Sequence, residues 1–185
     1  MVNYNINRYI GAIAIVAIVS FIVCLCLFDL QLWDSITYSI SVASFIAFVF
    51  IKFVWSWSIF RGWLVPFPNL GGEWEGTLKS TYKNTPTEIP IKLDIKQTFM
   101  HIQIKLYSNE SKSNSIVAAF NIDEDRDILQ LCYSYQNNPK ATLQKKSPIH
   151  YGSVILDIKG NGQQMEGQYW TSRNTTGDIS IKKRK

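Results

Sequence analysis

The chain has 185 residues, a formal net charge of +5 and three cysteines. That length allows one ordinary domain with a small appendage, and three scattered cysteines without metal-ligand spacing exclude a disulfide framework or a zinc module. The averages hide a division: Arg8, Asp29, Asp34 and Lys52 are the only charges before Ile59, so the whole +5 belongs to the remainder.

Residues 9–28, YIGAIAIVAIVSFIVCLCLF, carry no charge, and neither do residues 35–51. About twenty apolar residues is the length a helix needs to cross the roughly 30 Å hydrocarbon layer. Spans over about 9–28 and 36–55 are therefore predicted. The segment DLQLWDS between them is too short for a domain, so the pair is expected to form a hairpin over residues 1–58. A cleaved signal peptide fits poorly, because its apolar region would be too long and a second span follows instead of polar sequence. Arg8 precedes the first span, Lys52 and Arg61 lie at the end of the second, and the connecting segment has no Lys or Arg. Basic residues mark the cytoplasmic side, so both termini are expected there. Trp55, Trp57 and Trp63 are expected in an aromatic belt at that face and Trp33 at the other. Ser35, Ser39, Ala43 and Ala47 recur every four residues and line one stripe of the second helix. Small side chains permit close helix approach, within the hairpin or between chains.

Residues 59–69 read as a linker, in which Pro66 and Pro68 stop helix; Gly71 and Gly72 then permit a turn. From residue 70 to 185 the period changes to two. Trp74, Gly76, Leu78, Ser80 and Tyr82 share one face, as do Ile89, Ile91, Leu93 and Ile95, and then Met100, Ile102, Ile104 and Leu106. Further alternating stretches are 115–122, 128–136, 150–159, 165–171 and 178–183, with turn-like breaks at SNESKSN, DEDRD, QNNPKATLQKKSP and KGNGQ. About eight consecutive strands with short links predict an antiparallel, up-and-down β-barrel, since closure removes exposed edges. The fold class is thus membrane α plus all-β. A barrel of this size is filled by side chains or holds one small ligand.

Catalytic chemistry finds little support. His101 and His150 lie on different strands, His150 on the face opposite Tyr151, and neither accompanies a nucleophile motif; both read as exposed structural residues. DEDRD lacks the spacing of a calcium loop, so no metal or cofactor is expected. The informative segment is EGQYWTSRNTTGDISI. Alternation from Met165 places Gly167, Tyr169, Thr171 and Arg173 on one face, taken as inward. A guanidinium there needs an anionic partner and suits phosphate, which it grips with two parallel hydrogen bonds. Tyr133, Tyr135 and Tyr151, with Trp74, fall on their strands' candidate inner faces, where aromatic rings beside an Arg can sandwich nucleobases. The residues alone favour the plainer reading, in which Arg173 caps the barrel, bonded to carbonyls or to an acidic neighbour, and the tyrosines are core.

Two spans, the junction WLVPFPNLGGEWEG (63–76), about eight strands and the segment GQYWTSRNTTG (167–177) together resemble one family along essentially the whole chain. It is the CD-NTase-associated effectors of bacterial CBASS anti-phage systems that carry two transmembrane helices and a β-strand-rich domain. The resemblance implies a non-enzymatic protein of the bacterial inner membrane. Its cytoplasmic barrel would sense a cyclic di- or oligonucleotide made by a partner CD-NTase. Binding would drive homo-oligomerisation and membrane disruption, ending in abortive infection, with no DNA or RNA polymer as partner. Tyr169, Thr171, Arg173 and Asn174 are the residues on which physics and motif agree, with Tyr133, Tyr135, Tyr151 and Trp74 beside them. The alternative is a membrane-anchored lipocalin-like barrel for a lipid or other apolar molecule, since GEWEG resembles the Gly-x-Trp opening of lipocalins. An enzyme built on the barrel is the third possibility.

Overall fold

The computed structural model describes residues 6–28, 30–81, 87–145 and 147–184, with the side chains of residues 6, 7 and 27 excepted. Asp29 of the expected loop and Tyr82 of the first expected inner face lie outside the described residues. The chain divides into two compact units, one ending at Pro66 and the other beginning at Phe67.

The first unit holds α1 (Ile6–Leu27) and α2 (Leu32–Val49), which continues through one π-helical turn, Phe50–Val54. Both helices are long and apolar enough to cross a membrane. The second starts at Leu32, four residues before the expected Ile36. Its first turn takes in Asp34, which favours the positive end of the helix dipole. Ser35, Ser39 and Ala43 are the buried residues of α2, and Ala47 is half-buried. These are positions of the small-residue stripe, and α1 packs against α2. The Ser39 hydroxyl donates to the Ser35 carbonyl one turn back, so a polar atom is satisfied inside the helix. Trp33, Trp57 and Trp63 are exposed, whereas Trp55 is buried. A tight segment follows, with a 3₁₀ turn at Ser58–Phe60 and Gly62 at φ +88°, a conformation that favours glycine.

The second unit is a closed barrel of eight antiparallel strands in sequential order. They are β1 (Gly72–Ser80), β2 (Thr87–Gln97), β3 (Ile102–Tyr107), β4 (Ser111–Asp123), β5 (Ile128–Pro139), β6 (His150–Lys159), β7 (Gln164–Thr171) and β8 (Thr176–Lys183). β8 pairs back onto β1, with Gly76 opposite Ile181, so no strand is left as an open edge. The alternating pattern decides the inner face: β5 buries Leu131, Tyr133, Tyr135 and Asn137 in strict succession.

Two expected breaks are narrower in the structure. SNESKSN reduces to a tight turn, the Ser108 amide donating to the Ser111 carbonyl at 2.9 Å, and β4 begins at Ser111. β5 runs on to Pro139 because Asn137 pairs with Ser113, whose hydroxyl donates to the Asn137 amide oxygen at 2.8 Å. Ladder pairing thus overrides the weak strand preference of Ser and Asn. Met100, expected inside, is 67% exposed. It sits in the turn closed by the Thr98 amide on the His101 carbonyl, so the strand period stops before it.

One end of the barrel is filled. Trp74, Ile95, Leu131, Leu156, Met165 and Ile181 are almost fully buried there. The entering chain caps this end: Phe67 stacks on Phe120 with ring centroids 4.9 Å apart, and Leu70 is fully buried. The Gln97 side-chain amide fixes the cap, accepting from the Leu70 amide at 2.7 Å and donating to the Pro68 carbonyl at 3.2 Å. The other end is hollow.

Candidate functional site

The hollow end encloses a cavity of about 610 Å³. Its lining comes from the ends of β1, β3, β5 and β7, the starts of β2, β4, β6 and β8, and the turns between them. That volume lies within the roughly 300–1,000 Å³ of small-ligand sites. A hollow of about 590 Å³ on the outer surface is lined by Lys79, Asp157, Lys159 and Glu166 and is open to water. The interior cavity is the better ligand site, because apolar walls and convergent polar groups meet there.

The cavity is layered. Its walls are Leu78, Ile89, Ile91, Leu106, Val154 and Ile179. Three phenols, Tyr133, Tyr135 and Tyr169, project among them. Tyr133 and Tyr135 follow each other on the inner face of β5, with ring centroids 6.1 Å apart and planes tilted by 51°. Two glycines make room for two of these rings. Tyr135 lies across the ladder from Gly152, where an added Cβ would stand 2.5 Å from the Tyr135 hydroxyl. Tyr169 lies across from Gly177, where an added Cβ would stand 2.6 Å from its ring. Burial pushes the Tyr133 and Tyr135 hydroxyls well above the usual phenol range, and a neighbouring phenol raises each further, Tyr135 for Tyr133 and Tyr169 for Tyr135. Tyr169 is raised as well, by burial first, while a hydrogen bond with Ser80 opposes the shift. All three phenols are therefore neutral at physiological pH.

The rim is polar. Ser113, Asn137 and Thr171 are buried there. The β7–β8 turn is tied by Thr171, whose hydroxyl lies 2.7 Å from that of Thr175 and accepts from the Arg173 amide at 3.2 Å. Asn174 takes φ +57°, a left-handed conformation that Asn tolerates better than most residues. Arg173 is half-buried and donates from Nη1 to the Ser147 hydroxyl at 2.7 Å. Among the described residues, the charged or titratable side chains at the polar end of the cavity are Arg173, His150, Glu88 and Glu110.

The structure brings together Tyr133, Tyr135, Tyr169, Thr171 and Arg173. Arg173 arrives by a different route from the one expected: β7 ends at Thr171, and the turn, not strand alternation, carries the guanidinium to the rim. Three residues expected at the site, Tyr151, Trp74 and Asn174, are elsewhere. Tyr151 is 55% exposed on the outer face, because Val154 and Leu156 set the inward phase of β6 and put Gly152 inside. His150, expected as an exposed structural histidine, instead lines the mouth of the cavity at the start of β6. Trp74 belongs to the filled end, where its indole N–H donates to the Leu70 carbonyl at 2.8 Å. Asn174 shapes the turn and is exposed. Sequence reading missed Ser80, Ser113, Asn137, Ser147 and Thr175. The inward alternation of β1 and β5, extended to the strand ends, was the available signal for Ser80 and Asn137.

Among the described residues no cluster of three His, Cys, Asp or Glu side chains is placed to hold a metal ion. The cavity offers ring faces and hydroxyls inside and a guanidinium at the mouth.

Comparison with known proteins gives consistent results. Residues 65–183 match the family model described as Cap15, cyclic dinucleotide receptor domain. A Staphylococcus schleiferi protein named CD-NTase-associated protein 15 is 36% identical over 152 residues, covering 82% of this chain and 80% of its own. A protein of the same name from Escherichia albertii is 26% identical over 190 residues, covering 94% of this chain and 92% of its own. A family match over the whole barrel, joined to a relative this similar across most of both chains, places this protein in the Cap15 family of CD-NTase-associated proteins.

Proposed function

We propose that this protein is a ligand-gated membrane effector of anti-phage defence. The barrel binds a cyclic dinucleotide supplied by a partner CD-NTase. Binding drives oligomerisation of chains whose α1 and α2 cross the bacterial inner membrane, and the assembly disrupts that membrane. The observation that carries the reading is the half-hollow barrel, with stacking phenols inside and Arg173 at the mouth. A cyclic dinucleotide is flat at its bases and anionic at its phosphates, and the two layers match those two demands. Family membership supports the same ligand class. The distribution of Arg8, Lys52 and Arg61 about the two apolar helices supports a cytoplasmic barrel with both termini on that side. The site is a receptor and not a catalyst in this reading.

A lipocalin-like carrier of an apolar molecule shares the up-and-down architecture. The buried phenols, the Ser113–Asn137 pair and the Arg173 rim favour a polar, anionic ligand instead.

Calorimetric titration of the detergent-solubilised full chain against a panel of cyclic dinucleotides tests the proposal. Saturable binding of at least one member is expected. Arg173→Ala should weaken it about 10- to 100-fold, the range for a hydrogen bond to a charged group, with the far-UV circular dichroism unchanged. A folded protein that binds none of the panel, and releases a lipid on extraction, would refute it.

A further inference from the structure

Tyr133 is the deepest polar residue on the inner face of β5; the next inward residue toward the filled end is Leu131, fully buried. The Tyr133 side chain is only 5% exposed, and its hydroxyl has no hydrogen-bond partner among the described residues. Buried hydroxyls in folded proteins nearly always have one, because an unmet hydroxyl has given up its hydration for nothing. Tyr169 obeys that rule through Ser80. Tyr133 does not: its side chain lines the cavity, and its hydroxyl, closed to water, meets a ligand only once that side chain shifts.

Charge is distributed just as unevenly. Arg173 lines the mouth on the β7–β8 turn, and the carboxylates of Glu88 and Glu110 stand at the same end. Tyr133 pairs across the ladder with Val154, and Ile91, Ile104, Leu106 and Ile179 are further apolar lining; among the described lining residues the one Lys or Arg is Arg173 at the mouth. An ionised phosphate moved into such surroundings loses its hydration without compensation. The phosphates of a cyclic dinucleotide are therefore confined to the rim. What descends is a neutral, planar group with a polar edge, which is a nucleobase.

We propose that one nucleobase of the ligand enters edge-first and that the Tyr133 hydroxyl reads that edge, making Tyr133 a residue that determines base specificity. The inference rests on the function proposed above and adds an orientation to it: base at the floor, phosphates at the mouth. Tyr135 and Tyr169 supply the ring faces beside the inserted base.

The test compares the full chain with Tyr133→Phe and Arg173→Ala against cyclic dinucleotides carrying adenine, guanine or uracil, reading affinity and the melting temperature without ligand. Tyr133→Phe should leave the unliganded melting temperature unchanged or raised, since it removes an unmet hydroxyl. It should weaken the preferred ligand about 10-fold and shrink the preference among bases. Arg173→Ala should weaken every member by a similar factor and leave their ranking intact. Equal affinities for parent and Tyr133→Phe overturn the inference, as does a uniform loss with the ranking preserved, or a clear fall in the unliganded melting temperature. A parent chain that binds no member of the panel refutes the receptor reading itself, and the orientation falls with it.

Discussion

At the scale of residues, the cavity depends on what is missing opposite its rings. Gly152 leaves the space that Tyr135 fills, and Gly177 does the same for Tyr169. Gly152→Ala would place a methyl 2.5 Å from Tyr135 and 2.7 Å from the Trp170 carbonyl oxygen, a backbone atom that moves little. Overpacking of this kind costs about 1–3 kcal/mol, so thermal melting should show a lower midpoint and titration a weakened ligand. The phenols also set an alkaline limit. Tyr133 and Tyr135 are held protonated in the fold above the ordinary range near pH 10. Between that pH and their folded-state values the unfolded chain binds fewer protons, so stability falls with rising pH. The slope is up to about 1.4 kcal/mol per pH unit for each phenol. Well below pH 10 stability should not vary with pH on their account, and denaturant unfolding of Tyr133→Phe between about pH 10 and 12 should show a shallower loss. Residue-level reading of the sequence was partial for a physical reason. Tyr133, Tyr135 and Tyr169 follow the two-residue period, whereas Tyr151 misleads, because the inner residue of that pair is the smaller one, Gly152.

At the scale of elements, the strands were readable because one face of each is apolar and the other charged. The start of β4 and the end of β5 were not, since Ser113 and Asn137 are polar residues made strand-like by ladder pairing and a hydrogen bond. The β7–β8 turn shows the limit best. Alternation cannot describe a turn, and the position of Arg173 follows from the Thr171 and Thr175 hydroxyls that brace it. Thr171→Val keeps the shape and removes the hydroxyl, so calorimetry should find weaker binding by about 5- to 10-fold through a loosened turn. In the hairpin, α2 turns Ser35, Ser39 and Ala43 inward. Ala43→Leu would force the helices apart, costing about 1–3 kcal/mol. Under the proposed function, ligand affinity should be unchanged while membrane disruption, followed by growth of cells making the protein, is lost.

At the scale of the whole molecule, an eight-stranded barrel is just wide enough to be filled or to hold one small ligand, and this barrel is filled at one end and hollow at the other. Phe67 and Leu70 of the entering chain plug the filled end, so under the proposed function the ligand enters at the end rimmed by Arg173. The order of strands, their number and the two apolar helices were all legible from periodicity. The hollow was not, because whether inward side chains meet across a barrel depends on volumes in three dimensions. Under the proposed function the barrel is the trigger and the helices are the effector. Coupling between the two is tested most directly in dye-loaded liposomes carrying the full chain, titrated with the cyclic dinucleotide that binds it. Release of dye over the same concentration range as binding, abolished by Arg173→Ala, is the expected result. Binding without release, or release that ignores the ligand, would contradict it.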